Sequence, residues 1–220
     1  MNFAPVIDIN TNSKNPIIGN RSYGENKINV SEKGTSFTKG IQSNNVLATA
    51  KHFPGHGDTS KDSHLTLPTI NFDEKRIKKV ELYPFKKLIE DGLSAIMIAH
   101  LNVPSLEKEN MLPSTLSKNI IEKTLIKELN FNGLIITDAL EMKGVSEFTK
   151  KNVDLMAFLA GNDILLMSSD ISKGVKSIKK SIKKGKISEQ RLARSVKKIL
   201  KAKYKVGLNS YKSVSYTHLR

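Results

Sequence analysis

The sequence predicts an α/β fold built on a parallel sheet. Short apolar segments recur along the chain: "VLATAKHF" (46–53), "LSAIMIAHL" (93–101), "GLIITDAL" (133–140) and "NDILLMSS" (162–169), mostly bounded by turn residues. Runs of this length without polar alternation are what a parallel strand covered on both faces presents. Segments with helical periodicity lie between them, and strand–helix alternation of this kind builds βαβ units. Polar, reactive residues also stand where the strand segments end: Asp8, His52, His100, Asp138, and Ser168 with Ser169. An open doubly wound sheet loads only its switch-point strands in this way. A (β/α)8 barrel brings all its strand ends to one mouth. Loading on most strands favours the barrel, and with the opening run "MNFAPVIDIN" about five of its eight strand–helix units are present. The expected fold is a partial (β/α)8, or TIM, barrel.

The elements follow in order. The chain opens on a strand-like run, "MNFAPVIDIN", in which no signal-peptide pattern is visible. After the strand at 46–53, "FDEKRIKKVELYPFKKLIEDG" (72–92) places Ile77, Val80, Leu82, Phe85, Leu88 and Ile89 along one stripe. Pro84 falls inside it and predicts a kink or break. After the strand at 93–101, "SKNIIEKTLIKELNFNG" (117–133) groups Ile120, Ile121, Thr124, Leu125 and Leu129 on one side and stops at Asn132-Gly133. "VDLMAFLAG" (153–161) is a short helix closed by Gly161, and two lysine-rich helices cover 171–185 and 187–207. One catalytic-type domain is expected over residues 1–208, and residues 209–220, without periodicity, read as a disordered or non-native tail.

Composition narrows the function classes. Hydrophobic residues make up 38% of the chain, enough for a core, and the longest apolar runs are far shorter than the ~20 residues a membrane helix needs. The absence of cysteine excludes disulfides, thiolate metal sites and cysteine nucleophiles, and leaves the redox compartment open. The formal net charge of +15 invites a nucleic-acid reading. The lysines, however, concentrate in the last two helices, around the apolar positions Val175, Ile178, Ile182, Leu192, Val196, Ile199 and Leu200. Lysine stems flank apolar stripes with their heads in water, and the aromatic interleaving that stacks bases is missing. A solvated helix face is the preferred reading, with no nucleic acid expected.

Residues 51–68, "KHFPGHGDTSKDSHLTLP", hold three of the five histidines, His52, His56 and His64, with Asp58 and Asp62 among them. A purely structural cluster is one reading. A zinc site is another, but Pro54, Gly55 and Gly57 break the helix that would put His52 and His56 on one face, so no metal is expected. Acid–base chemistry is the preferred reading. Asp62 lies two residues before His64, close enough for its carboxylate to fix one imidazole nitrogen and leave the other to move a proton near neutral pH. Its partner in bond chemistry would be Asp138, at the end of an apolar strand in "GLIITDALEMKG". A helix cap is the alternative role for Asp138. A carboxylate nucleophile facing an acid/base is the layout of a retaining glycosidase, with histidine here replacing one carboxylate.

Together, "KHFPGHGDTSKDSHLTLP", "NFAPVIDIN…NPIIGNRSYG", "IMIAHLNVP", "GLIITDALEMKG" and "AGNDILLM" resemble the β-N-acetylglucosaminidases of glycoside hydrolase family 3, over residues 2 to about 208. The resemblance implies that Asp138 is the nucleophile, His64 the general acid/base and Asp62 its dyad partner. It implies that Arg21, Lys51 and His52 hydrogen-bond the sugar at the −1 subsite, and His100, at the mouth, is grouped with these substrate-binding residues. His56 is implied to structure the loop. The substrate implied is a terminal β-linked N-acetylglucosamine on peptidoglycan fragments, in cell-wall turnover or recycling, with no cofactor.

The chain departs from the family's pattern in lacking about three strands and an Asp-Gln-Glu-Gly-Gly-like motif ahead of "MNFAPV", so its start reads as a truncation. The true N-terminus being absent, localisation reads as cytoplasmic by default with export open. Two rival readings are kept. One is a β-glucosidase or other exo-glycosidase of the same family, against which the "DTSKDSH" loop argues. The other is a non-catalytic glycan- or polyanion-binding fragment driven by the basic surface.

Overall fold

The structure, a computed structural model, describes residues 1–60, 66–109, 111–148 and 152–210. Its centre is a parallel three-stranded sheet of β1 (Thr49–Phe53), β2 (Ala95–Ile98) and β3 (Leu134–Thr137), in that spatial order. Thr49 pairs with Ala95, Ala95 with Leu134, and Ile98 with Thr137. Every residue of β2 and β3 is buried, because both faces of the sheet are covered.

Two further segments run parallel to this sheet. Asn2 and Val6 bridge to Ala48 and Lys51 on the β1 side, and Ile164 bridges to Ile136 on the β3 side. The α/β expectation therefore holds, but the first and last expected strands are reduced to isolated bridges. At the first, Pro5 accepts at its carbonyl from Lys51 N–H and has no N–H to donate. At the last, Leu166 N–H turns to the Thr137 hydroxyl (2.8 Å) instead of a strand carbonyl, and Met167 takes φ 47°.

The helices are α1 (Lys27–Gln42), α2 (Glu74–Lys79), α3 (Tyr83–Glu90), a π-helical stretch at Asn119–Glu128, α4 (Lys143–Ser146), α5 (Val153–Ala160), α6 (Ile171–Lys183) and α7 (Glu189–Lys205). Side chains of Asn26, Asp73, Asn152, Asp170 and Ser188 accept from first-turn N–H groups and start α1, α2, α5, α6 and α7. The predicted break at Pro84 divides α2 from α3, with the proline in the first turn of α3. The stretch 119–128 buries Ile120, Ile121, Thr124 and Leu125 as expected, but it winds wider than an α-helix.

Helix α1 has no counterpart in the sequence reading. Its core-facing positions are Val30, Ser31, Gly34 and Thr38, too small and polar to register as an apolar stripe. At Gly34 the small residue is required by contact: a Cβ there would meet Ile7 Cγ2 at 2.8 Å. Behind α1, Phe53 and Phe85 meet edge to face at 5.1 Å in the main core. The lysine-rich helices also differ from expectation. Ile199, Ala202 and Val206 pack on Ala95 and Leu134, whereas Val175, Leu192, Val196 and Leu200 are exposed. Among the described residues, nothing covers that half of the stripe. No helix among the described residues is long and apolar enough to cross a membrane. The tail boundary at 208 falls in a 3-10 turn, Leu208–Ser210, and residues 211–220 lie outside the described residues.

At the end of the sheet where β3 begins, buried Asp163 fastens α7. Its carboxylate accepts from the Ser195 hydroxyl (2.5 Å), Lys198 Nζ (3.0 Å) and Ile135 N–H (3.1 Å), with Arg191 Nη1 at 3.9 Å. Removing one member of a buried charge network leaves the others uncompensated. Asp163→Ala is expected to destabilise the fold by ~3 kcal/mol, read as a lower urea midpoint at unchanged m-value. A loss below ~1 kcal/mol, the scale of an exposed pair, would mean the network adds no buried-charge stability.

Candidate active site

The chain start and the end of β1 are joined by one buried carboxylate. Asp8, 1% exposed, accepts from His56 N–H (2.7 Å) and His52 N–H (3.1 Å) at Oδ1, and from His52 Nδ1–H (2.7 Å) at Oδ2. Burial works against its charge, but attraction to His52, their hydrogen bond and the contacts to His56 outweigh it, so Asp8 stays below the usual carboxylate range. With Nδ1 donating to Asp8, His52 Nε2 is the acceptor facing Arg21 Nη2 at 3.4 Å. Arg21 reaches this point from a 3-10 turn, Gly19–Arg21, and is exposed.

Lys51 is half-buried on β1. Burial, followed by repulsion from Arg21, lowers its pKa, while Asp138 and Asp8 pull the other way. Lys51 is thus within electrostatic reach of Arg21, Asp138 and Asp8. Asp138 follows β3 directly. Its N–H donates to Ile98 O (2.9 Å), and Oδ1 accepts from Ala139 N–H (2.8 Å). The carboxylate is partly exposed at the same end of the sheet, in the field of Lys51 and of His56. The structure thus brings together four expected site residues, Arg21, Lys51, His52 and Asp138.

The loop after β1 is braced at its base. A Cβ at Gly57 would collide with the Ile9 carbonyl, so only glycine allows this approach. Buried Asn15 donates to His56 O (2.8 Å), Asn12 donates to Thr59 O (3.2 Å), and the Thr11 hydroxyl donates to Asp58 Oδ1 (2.9 Å). His56 is buried, with Nδ1 2.7 Å from Thr59 Oγ1. It structures the loop, in line with expectation. Asp62 and His64 lie outside the described residues. His100 is 1% exposed, beneath the turn that carries Asp138.

The sequence reading missed Asp8 as an organiser of the site, along with Asn15 and Thr59. Asp8 stood out as a charged residue at a strand end, but a lone aspartate in "VIDIN" does not announce partners 44 and 48 positions away.

Burial is the main influence lowering the His56 pKa; the pull of Asp8 opposes it and repulsion from His52 reinforces it. The unfolded chain, with the ordinary value of 6.5, therefore takes up this proton first. The stability from neutral His56 is full above pH 6.5 and is lost as pH falls below it toward the depressed value. Asp8 acts in a separate, lower window, below its ordinary 3.8. The melting temperature is expected to drop between about pH 7 and about pH 5, and to drop less in His56→Gln. Parallel melting curves for the two proteins would remove His56 as the cause.

Nearly the whole chain is similar to known glycosidases. Residues 1–202 match the glycosyl hydrolase family 3 N terminal domain. Beta-hexosaminidase A of Pseudoalteromonas piscicida is 35% identical across 96% of this chain, which spans 38% of that protein. A beta-N-acetylglucosaminidase/beta-glucosidase of Cellulomonas fimi is 28% identical, with 94% of this chain and 38% of that protein covered. The solved structure of a glycoside hydrolase family 3 beta-N-acetylglucosaminidase from Paenibacillus sp. str. FPU-7 superposes with a TM-score of 0.92 at 41% identity, covering 99% of this chain and 42% of that one. The chain spans well under half the length of each of these relatives. By the family match and by this similarity across nearly all its residues, the chain belongs to glycoside hydrolase family 3.

Proposed function

We propose that this chain carries the catalytic residues of a retaining exo-β-N-acetylglucosaminidase. Its substrate is a terminal β-linked N-acetylglucosamine, drawn from peptidoglycan fragments. The observation that carries the reading is the surroundings of Asp138: a partly exposed carboxylate at a strand end, steered by its own turn and in the field of Lys51, which also feels Arg21 and neighbours His52 in the chain. The parallel segments fit about five strand–helix units of a (β/α)8 barrel, whose active site lies where strands end.

The reaction follows from the residue types. The Asp138 carboxylate attacks the anomeric carbon as the glycosidic C–O bond breaks. The departing oxygen keeps the bond pair and takes a proton from the His64 imidazolium, which Asp62 stabilises. The covalent glycosyl-aspartate is then opened by water. Neutral His64 takes the water's proton, the new C–O bond forms at the anomeric carbon, and Asp138 leaves as carboxylate. Arg21, Lys51 and His52 supply hydrogen bonds to the sugar hydroxyls, and no metal or cofactor takes part.

A second reading, hydrolysis of glucosides, is favoured by the Cellulomonas fimi relative, whose name carries both activities. Rates on aryl glucoside and aryl N-acetyl-β-glucosaminide, measured side by side, separate the two.

Asp138→Ala is expected to lower turnover of an aryl N-acetyl-β-glucosaminide by more than ~10³-fold, and near-normal activity would remove Asp138 as nucleophile. His64→Ala is expected to act through the leaving group. Glycosylation with an activated phenol should suffer least, because a good leaving group needs little protonation. A loss independent of leaving-group acidity would assign His64 another role.

A further inference from the structure

From its burial and bonding, we infer that His100 is a positioning residue for Asp138, acting through the turn that follows the nucleophile and making no contact with sugar. This inference rests on the reading of Asp138 given above. His100 lies two residues beyond β2 and is 1% exposed, so a sugar at the mouth does not reach its ring. Both ring nitrogens are spent on protein atoms. Nε2 is 2.9 Å from Ala139 O, and Nδ1 is 2.6 Å from Thr115 Oγ1. A carbonyl only accepts, so Nε2 carries a proton and donates it. Thr115 is itself fully buried, in a 3-10 turn, with its hydroxyl 2.7 Å from Ala99 O. The ring is thereby clamped from behind by β2's own exit segment.

The consequence for Asp138 runs through two consecutive peptides. The peptide joining Ala139 to Leu140 is gripped at both ends: its oxygen accepts from His100 Nε2, and its N–H donates to Leu166 O at 2.9 Å. The same oxygen closes the turn by accepting from Met142 N–H at 3.1 Å. With that plane held, the preceding Ala139 N–H is aimed at Asp138 Oδ1 (2.8 Å), while Asp138 N–H is fixed to Ile98 O (2.9 Å). One carboxylate oxygen is occupied and the side chain's rotation is set, so the other oxygen is presented in a constant direction. Displacing a reacting atom by about 1 Å costs on the order of 10²-fold in rate. A buried donor acting through one turn therefore governs attack without touching substrate.

The test uses His100→Gln, which returns an amide N–H near the position of Nε2, against His100→Leu, which returns none. Hydrolysis of an aryl N-acetyl-β-glucosaminide by the full chain is expected to show kcat reduced by about 10²-fold in the leucine variant with KM within about threefold, and at least a tenth of wild-type kcat restored by glutamine. Thr115→Val, which releases the far side of the ring, should lower kcat in the same sense and stands in if the leucine variant does not fold. A raised KM at unchanged kcat, the mark of a lost sugar contact, overturns the inference, as does equal loss in the glutamine and leucine variants. An inactive wild-type chain would count against the proposed hydrolase alone. Crystal structures of the variants then decide: Asp138 swung off Ala139 N–H in leucine but held in glutamine supports positioning, and an unmoved Asp138 in both overturns it.

Discussion

The arrangement rests on a single buried carboxylate. Asp8 is sequestered from water, and an uncompensated charge there would cost far more than the fold's net stability. It is tolerated because two backbone N–H groups and an imidazole N–H point at it from the end of β1 and the loop beyond. Charge-assisted bonds of this kind are about twice as strong as neutral ones, and their directions are fixed. One group thereby ties the chain's first segment to β1, sets the His52 tautomer and holds the base of the histidine loop. Arg21 meets His52 Nε2 only because Asp8 has claimed Nδ1.

From that anchor the electrostatics of the mouth follow. Two cations, Arg21 and Lys51, stand close enough for the first to depress the second. Two carboxylates, Asp8 and Asp138, offset them, one buried behind and one open in front. Cationic donors beside a partly solvated carboxylate are what the hydroxyl-rich substrate proposed above requires. The basic surface of α6 and α7 is separate from this: their lysines crowd helix faces, where solvation is their ordinary state.

What could be read in the sequence divides along physical lines. β2 and β3 were legible because burial on both faces leaves an uninterrupted apolar run, and the helix break was legible because Pro84 acts locally. The cluster of site residues at strand ends was legible as a one-dimensional regularity. Helix α1 was not, since its buried face includes the small or polar Ser31, Gly34 and Thr38, and Gly34 is required by close approach to Ile7 and Leu88. The thinning of the first strand traces to Pro5, which was passed over in a run that otherwise reads as a strand, and that of the last to the Thr137 hydroxyl capturing Leu166 N–H, which no local pattern shows. Likewise Asp8 and His100 carry their roles through partners 39 to 48 positions distant, beyond the range of any spacing rule.

Two aspartates on either side of β3 make the general point. Asp163 pairs at the strand's start and Asp138 stands at its end, the same residue type on adjoining backbone. Asp163 is surrounded by a lysine, an arginine, a hydroxyl and a backbone N–H, and every oxygen is engaged. Such a group has no capacity left for chemistry, and its contribution is to stability. Asp138, among the described residues, receives one hydrogen bond, from the neighbouring N–H, and keeps part of its surface open. Nucleophilic capacity is what remains when a carboxylate is oriented but not saturated. The assignment of roles therefore turns on how many donors each carboxylate has been given, a quantity set by packing at the two ends of one strand.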